Sequence, residues 1–223
     1  SKAMIYAADF LDKIKKSSSM GITTSEVLID FQKMQSWKNS ILSKLEKGVE
    51  TLCNGNKITL IKGRASFVSS HSISVETKEG KNEINFENAI IATGSMPIEI
   101  PLFPFDEKTI VSSTGALFLE EIPKNMVVIG GGYIGLELGT VYAKLGSKVT
   151  VVEMTNQLLP VNYKDAVDVV QKNLSKLGVQ ILLESKASSF SNNVLSIDTK
   201  EGKKEIEADC ILVAVGRSPN TKN

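Results

Sequence analysis

Hydrophobic positions recur with helical spacing in the first quarter of the chain. Residues 2–16 show this spacing, and it returns over about residues 26–52 after a polar break at 17–21. The apolar positions of the second stretch are Phe31, Met34, Trp37, Ile41, Leu45 and Val49. The pattern predicts two helices that form a hairpin, with this stripe packed in a core.

Further along the chain the pattern changes to strands. Short alternating runs between residues 57 and 86 indicate strands, and the continuous apolar run at 126–129 indicates a buried one. After a glycine-rich turn, a helix with Leu138, Val141 and Leu145 on one face is predicted to end at Gly146. Residues 148–152 then predict the next strand. This β-α-β order is typical of an α/β fold with a parallel sheet.

The turn after residue 129 has the spacing of a dinucleotide-binding fingerprint. Its six residues are Gly130, Gly131, Gly132, Tyr133, Ile134 and Gly135. Gly130 permits the tight turn, Gly132 lets the backbone approach a pyrophosphate, and Gly135 lets the helix pack against the sheet. The pyrophosphate would lie at the positive end of the helix.

Glu153 follows Gly130 by 23 residues, at the end of the next predicted strand. An acid in this position accepts hydrogen bonds from the adenosine ribose. Its charge repels a 2′-phosphate, and residues 154–165 contain no arginine that would bind one. The sequence therefore favours NAD over NADP. A glycine-rich turn in an ordinary α/β domain is the alternative interpretation.

Two segments of the chain are related by one shift of 122 residues. Thr77–Lys81 recurs as Thr199–Lys203, and Ala89–Gly94 corresponds to the end of the run 209–216. Each apolar run predicts a buried parallel strand that ends at the ligand-binding edge of a sheet. The repeat therefore implies two nucleotide sites. The place in the first copy that corresponds to the fingerprint, Ala8–Leu11, has no glycine turn. Either this copy never had a fingerprint, or an inserted segment has displaced it upstream of Ser1.

Composition and charge exclude several classes of function. The chain has 223 residues, is 42% hydrophobic and carries a formal charge of +1 without a basic stripe, which argues against a nucleic-acid partner. No apolar run reaches the ~20 residues of a membrane helix, and no signal-peptide pattern opens the chain. Cys53 and Cys210 fit no C-x-x-C pattern and are predicted to be reduced thiols. No metal site is expected.

Several motifs together resemble the flavoprotein disulfide reductases, and within that class the dihydrolipoamide dehydrogenases. They are Ser1–Ala3, Ala92–Ser95, Val111–Leu117, Gly130–Gly139, Glu153 and Val215–Thr221. The resemblance implies two Rossmann-like domains, a partial FAD-binding domain at 1–110 that carries the inserted helical hairpin and an NAD-binding domain at 111–223. In the family order, the flavin fingerprint and the redox-active Cys-x4-Cys precede this segment, and the dimer-forming domain follows it. An internal fragment that contains no catalytic residue is therefore expected.

The resemblance also assigns cofactor contacts position by position. Contacts with FAD are assigned to Lys2, Gly63, Thr93, Gly94 and Ser95; contacts with NAD are assigned to Glu137, Ala187 and Gly216, in addition to the fingerprint and Glu153. Each assignment has a plainer alternative: a surface lysine for Lys2, a hairpin turn for Gly63, a crossover turn for 93–95, and an acid favoured by the helix dipole for Glu137. Arg217 is expected either near the cofactor or in an ion pair with a surface carboxylate.

The activity implied by the resemblance is the FAD-dependent oxidation of dihydrolipoamide, with hydride transfer to NAD. The implied partners are the lipoamide-bearing acyltransferase of 2-oxoacid dehydrogenase complexes and, in the full-length protein, a second copy. The implied location is the bacterial cytoplasm or the mitochondrial matrix. Two alternatives stay open: another disulfide reductase of the same class, and a non-catalytic nucleotide-binding module.

Overall fold

The computed structural model describes residues 1–221. The α-helices in this range are α1 (Lys2–Lys16), α2 (Phe31–Gly55), α3 (Tyr133–Leu145) and α4 (Lys164–Lys176). The strands are β1 (Arg64–Phe67), β2 (Ser72–Thr77), β3 (Gly80–Asn85), β4 (Ser95–Pro97), β5 (Ile110–Val111), β6 (Asn125–Ile129), β7 (Lys148–Val152), β8 (Gln180–Leu182), β9 (Lys186–Ser191), β10 (Val194–Thr199), β11 (Gly202–Glu207), β12 (Cys210–Val213) and β13 (Arg217–Pro219). Short 3₁₀ turns cover Ser17–Met20 and Gly115–Leu117.

A five-stranded parallel sheet forms the centre of the fold, in the order β5-β12-β6-β7-β8. Helix α3 connects β6 to β7, and α4 connects β7 to β8. All four residues of β12 are buried, as expected for a strand covered on both faces. The strand order reverses between β6 and β12, and ligands of open α/β sheets bind at the carboxyl ends of the strands at such a point.

Helix α3 lies close to the sheet because two of its residues are glycines. A Cβ atom on Gly135 would lie 2.5 Å from the carbonyl oxygen of Gly130 and 2.8 Å from Cγ1 of Val128. A Cβ atom on Gly139 would meet Val128 and Val149 at 3.3 and 3.5 Å. The helix ends at Gly146, which has a φ of +114°. The predicted helix and its two flanking strands are therefore confirmed.

The internal repeat is present in the backbone as well as in the sequence. The bounds of β2 and β10, and those of β3 and β11, differ by 122 residues at both ends. Strands β2 and β3 form one antiparallel hairpin, and β10 and β11 form the other. In each hairpin a threonine hydroxyl donates to the carbonyl of the glycine after the turn, from Thr77 to Gly80 and from Thr199 to Gly202. The shift that relates the sequences thus also relates the hairpins.

The two repeats meet in a short antiparallel ribbon of β4 and β13. These strands are themselves related by the shift of 122, and they pair with Ser218 opposite Met96. Met96 and Ser218 are equivalent residues of the two copies. The ribbon therefore has a local two-fold axis at this pair.

The chain divides into two compact units, one of Ser1–Lys38 and Ser95–Asn220, the other containing Asn39–Gly94. The first unit contains the parallel sheet, and α1 packs against α3 within it. The second contains the three-stranded sheet β1-β2-β3. The predicted domain boundary between residues 110 and 111 stays a prediction.

Two expectations about buried elements were wrong. Residues 89–94 form no strand, and Ile90 is 94% exposed, because no strand among the described residues pairs with this segment. The apolar stripe of α2 is buried only at its start: Phe31 is 7% exposed, whereas Leu45 and Val49 are 63% and 59% exposed. In residues 39–94 only Ser72, Ser74 and Val75 are buried, so this half of α2 has no core of its own unit to pack on.

Asp106 organises the loop that leads into β5. Its Oδ1 accepts hydrogen bonds from the backbone N–H groups of Lys108, Thr109 and Ile110 at 2.7–2.8 Å. Partial burial by itself raises the pKa of this carboxyl, but the backbone hydrogen bonds lower it more, so the net pKa is below its usual value.

We expect Asp106→Asn to destabilise the protein at neutral pH by about 1 kcal/mol, because three backbone donors lose an ionised acceptor. A lowered folded-state pKa contributes stability above the unfolded pKa of about 3.9, and this contribution disappears as the pH falls through the folded pKa. Denaturant unfolding at pH 7 and at pH 3 measures the difference, which should shrink at the lower pH. Glu205→Gln, an exposed charge change on β11, serves as the control. An equal loss at both pH values would contradict the role of the charge.

Candidate dinucleotide-binding site

The fingerprint turn joins the end of β6 to the start of α3. Gly130 has a φ of +107°, and a Cβ atom there would lie 2.6 Å from the carbonyl oxygen of Ala214, at the end of β12. Its N–H donates to the carbonyl of Val152 at 2.9 Å. The turn is thus fixed between the strands on both sides, and only glycine fits at its first position.

Gly132 differs from the other two motif glycines. It is the N-cap of α3, in an extended conformation with a φ of −77°, and a Cβ atom there would have nothing within 4 Å. The first turn of α3 contains no acidic residue, and no side chain caps it. Open space beside an uncapped helix N-terminus is the arrangement that accommodates a pyrophosphate.

Glu153 is held at the end of β7, beside this turn. Its backbone N–H donates to Leu182 and its carbonyl accepts from Ser185, both at 2.9 Å. Its Oε2 accepts from the N–H of Gly131 at 2.6 Å, and its Oε1 accepts from the N–H and the hydroxyl of Thr155, both at 2.8 Å. The carboxylate is therefore oriented by three donors before any ligand binds.

The loop that follows Glu153 packs against the glycine turn and hydrogen-bonds to it. Leu158 is fully buried, and its Cδ2 lies 2.7 Å from where a Cβ atom of Gly131 would be. The N–H of Leu159 donates to the carbonyl of Gly131 at 2.9 Å. Sequence reasoning missed this loop, because Thr155, Leu158 and Leu159 belong to no motif.

A cleft of about 260 Å³ opens at the carboxyl edge of the sheet. Among its lining residues are three of the predicted NAD contacts: Gly130, Glu153 and Ala187. The other lining residues were not predicted; they are Ile100, Leu102, Phe103, Ile129, Val152, Met154, Ser185, Lys186 and Val215. Apolar walls with one fixed carboxylate suit an adenosine group, so the residues present fit the adenosine end of NAD.

Lys186 lines the same cleft as Glu153, at the first position of β9. Residues 154–165, which follow Glu153 directly, contain no arginine. The sheet topology brings Lys186 to the cleft from 33 residues beyond Glu153, and no local pattern distinguishes it from the other lysines. The cleft is therefore lined by one acidic side chain, Glu153, and one basic side chain, Lys186.

Tyr133 and Glu137 line a different cleft, of about 270 Å³, together with Ile5 and Ala8 of α1. Both side chains are exposed, and Glu137 lies one residue beyond the first turn of α3. Ile134, between them, is partly buried against the core around the sheet. The structure thus places Glu137 in a different cleft from Glu153 and Ala187.

Gly216 lies after β12, with a φ of +142°, and its carbonyl accepts from the N–H of Ile98 at 3.1 Å. Among the described residues, the neighbouring Arg217 has no carboxylate partner, so the expected ion pair is absent there. Its guanidinium donates instead to the hydroxyl and the carbonyl of Ser95 and to the hydroxyl of Ser113. Arg217 therefore links β13 to β4 at Ser95 and to the loop after β5 at Ser113.

The five residues assigned to FAD are divided between the two compact units. Lys2, exposed at the start of α1, and Ser95 belong to the first unit, whereas Gly63, Thr93 and Gly94 belong to the second. Their assignment to FAD stays a prediction. A Cβ atom on Gly63 would lie 2.5 Å from the carbonyl oxygen of Glu76, so close backbone packing by itself requires glycine there.

The described residues offer neither a disulfide nor a metal site. Cys53 and Cys210 are both free, and residues 1–221 contain no group of three potential ligands placed to hold a metal ion. Burial raises the pKa of the Cys210 thiol to about 12, so it stays protonated at neutral pH. In this range no helix is long and apolar enough to cross a membrane.

The fold and the site define the class of protein. The model of the pyridine nucleotide-disulphide oxidoreductase family matches residues 1–223, and the chain belongs to this family. Members of the family are oxidoreductases that bind FAD and NAD, which are the cofactors the sequence predicted. The α/β fold with Rossmann-type domains is likewise confirmed.

Among curated proteins, the chain is similar to those named dihydrolipoyl dehydrogenase. It is 44% identical over 225 residues to the one from Geobacillus stearothermophilus and 43% identical over 226 residues to one from Bacillus subtilis. Each match covers 99% of this chain and 48% of the relative. The chain thus spans about half the length of the curated relatives it matches.

The fold is also similar to those of solved structures. The HOCl-induced flavoprotein disulfide reductase RclA of Escherichia coli matches with a TM-score of 0.78 at 29% identity, over 99% of this chain and 47% of that one. The LpdA protein of Mycobacterium tuberculosis matches with a TM-score of 0.88 over 100% of this chain and 49% of that one. At 21% identity, this second likeness shows the fold alone.

Proposed function

We propose that the chain is part of a dihydrolipoyl dehydrogenase and binds NAD at the carboxyl edge of its parallel sheet. The observation that carries the proposal is the Glu153 carboxylate, fixed by Gly131 and Thr155 beside an open glycine turn. Bound NAD supplies the hydride acceptor. The residues of this chain bind and orient it: Gly132 leaves room for the pyrophosphate, and Glu153 accepts from the ribose hydroxyls.

The remaining assigned roles follow the same scheme. Tyr133 and Glu137 line the cleft on the α1 side of α3 and would lie towards the nicotinamide, whereas Ala187 would border the adenine. Lys2, Gly63, Thr93, Gly94 and Ser95 would contribute to the FAD site. Positioning of the two cofactors against each other is the catalytic contribution of such a scaffold.

Turnover of dihydrolipoamide needs a reactive dithiol, and the buried Cys210, with its raised pKa, is unsuited to that role. We therefore propose that the chain alone does not oxidise dihydrolipoamide and that the activity belongs to the longer protein. Its partners would be the lipoamide-bearing acyltransferase of a 2-oxoacid dehydrogenase complex and a second copy of the protein. Its compartment would be the bacterial cytoplasm or the mitochondrial matrix.

The test of the site is a titration of the chain with NADH and with NADPH, followed by nicotinamide fluorescence and by calorimetry. We expect NADH to bind at least about tenfold more tightly, because a 2′-phosphate would meet the Glu153 carboxylate. Equal or tighter binding of NADPH would contradict the proposal.

The similarity to RclA at 29% identity favours one second candidate, another flavoprotein disulfide reductase. A non-catalytic nucleotide-binding module is the other alternative. Steady-state assays of the full-length protein with dihydrolipoamide and NAD separate them. Turnover of another disulfide substrate without dihydrolipoamide oxidation would favour the second candidate, and FAD binding without any turnover would favour the module.

A further inference from the structure

We infer that Thr155 is a positioning residue for the adenosine ribose and that its hydroxyl proton changes acceptor when the ribose binds. The inference rests on the proposed NAD site and concerns a residue that lies in no motif. It follows from the number of hydrogen bonds that the Glu153 carboxylate can accept.

A carboxylate has about four acceptor positions, two on each oxygen. In Glu153, Oε1 accepts two hydrogen bonds, from the N–H and from the hydroxyl of Thr155, each at 2.8 Å. Its Oε2 accepts one, from Gly131 at 2.6 Å. One position therefore remains open, on Oε2, whereas a ribose diol that binds both oxygens of the carboxylate needs one on each.

The hydroxyl of Thr155 provides the second position. Its Oγ1 lies 2.8 Å from Glu153 Oε1 and also 2.8 Å from the carbonyl oxygen of Gln157. A threonine hydroxyl has a single proton and can donate to only one of these acceptors at a time. Rotation of the proton towards Gln157 frees a position on Oε1 and keeps the hydroxyl hydrogen-bonded, so admission of the diol leaves no donor unpaired.

Meanwhile the carboxylate keeps its orientation. The backbone N–H of Thr155 still holds Oε1, and the N–H of Gly131 still holds Oε2. The carbonyl of Thr155 accepts from the N–H of Glu184 at 2.9 Å, which fixes the backbone of Thr155 itself. The side chain of Thr155 thus acts on the ribose only through Glu153, and its hydroxyl is the movable part.

The test compares Thr155→Val, which replaces the hydroxyl by a methyl group of similar size, with Thr155→Ser, which keeps it. The probes are NADH and its analogue with a 2′-deoxyadenosine ribose, titrated against the chain by fluorescence. For Thr155→Val we expect NADH binding to tighten by about three- to tenfold, because Oε1 of Glu153 is then open to the ribose and no hydrogen bond to a charged acceptor has to be exchanged for one to a carbonyl. Thr155→Ser should bind within about twofold of the natural chain.

The preference for NADH over the 2′-deoxy analogue distinguishes positioning from a general structural effect. In Thr155→Val this preference should grow, because the position on Oε1 that the second ribose hydroxyl needs is open without rotation of a competing hydroxyl. In a Glu153→Gln background, Thr155→Val should have little further effect, since the two residues act as a unit. Thermal unfolding of each variant checks that the fold is kept.

Three results would overturn the inference. Thr155→Val could bind NADH no more tightly than the natural chain, or it could change the affinity for both probes equally, or Thr155→Ser could differ from the natural chain by more than about twofold. In each case the proposed function stands as long as the natural chain binds NADH. If the natural chain binds no NADH, the proposed function and the inference fail together.

Discussion

Replacement of Gly132 by alanine is expected to weaken NADH binding by at least about tenfold without destabilising the fold. A Cβ atom at this position meets nothing within 4 Å, and a φ of −77° is acceptable for alanine, so folding has no reason to suffer. The same Cβ atom occupies the space through which the backbone approaches a pyrophosphate. Titration with NADH and thermal unfolding of the same sample measure the two effects separately.

Gly135→Ala is the matched comparison, because the same single carbon is added three residues further on. There the Cβ atom would lie 2.5 Å from the carbonyl oxygen of Gly130, and α3 must move away from β6. Overpacking of this kind costs about 1–3 kcal/mol, which corresponds to a fall in the midpoint temperature of roughly 3–10 °C. Equal binding losses and equal midpoint shifts in the two variants would contradict the division of roles between the two glycines.

Glu153→Gln is expected to change the choice of coenzyme. Loss of the charged acceptor should weaken NADH binding by about ten- to a hundredfold, because hydrogen bonds to a charged group contribute about 1.5–3 kcal/mol. Binding of NADPH should instead improve, since Lys186 lines the same cleft and would no longer be opposed by a carboxylate. Paired titrations with NADH and NADPH give the ratio of affinities, which should move towards NADPH.

Two further variants make the experiment specific. Glu184→Gln removes the same charge at the end of the adjacent strand, from a carboxylate that pairs with Lys200 and does not line the cleft. It should leave both affinities unchanged. Lys186→Met in the Glu153→Gln background should abolish the gain in NADPH binding. A gain that persists there, or an unchanged ratio in Glu153→Gln, would contradict the assigned roles of both residues.

The part of the site that the sequence predicts is the part made by consecutive residues. The spacing of Gly130, Gly132 and Gly135 reports a local backbone path, and the apolar runs on either side fix the strand and the helix. Glu153 is predictable because one helix and one strand separate it from the turn by a nearly constant length.

The residues that sequence reasoning missed come to the site through long-range topology. Lys186 lies at the cleft because β9 begins beside the end of β7, and Thr155 orients Glu153 through a turn that no motif describes. Burial was mispredicted for Ile90 and Leu45 because an apolar pattern reports only the capacity to pack. Whether an apolar side chain is buried also depends on whether another segment of the chain packs against it, which a local pattern does not report.

The ribbon of β4 and β13 couples the two repeats at one point. Met96 and Ser218 occupy the same position in their respective copies and face each other across the local axis. A substitution at either position therefore changes a cross-strand contact that belongs to both copies.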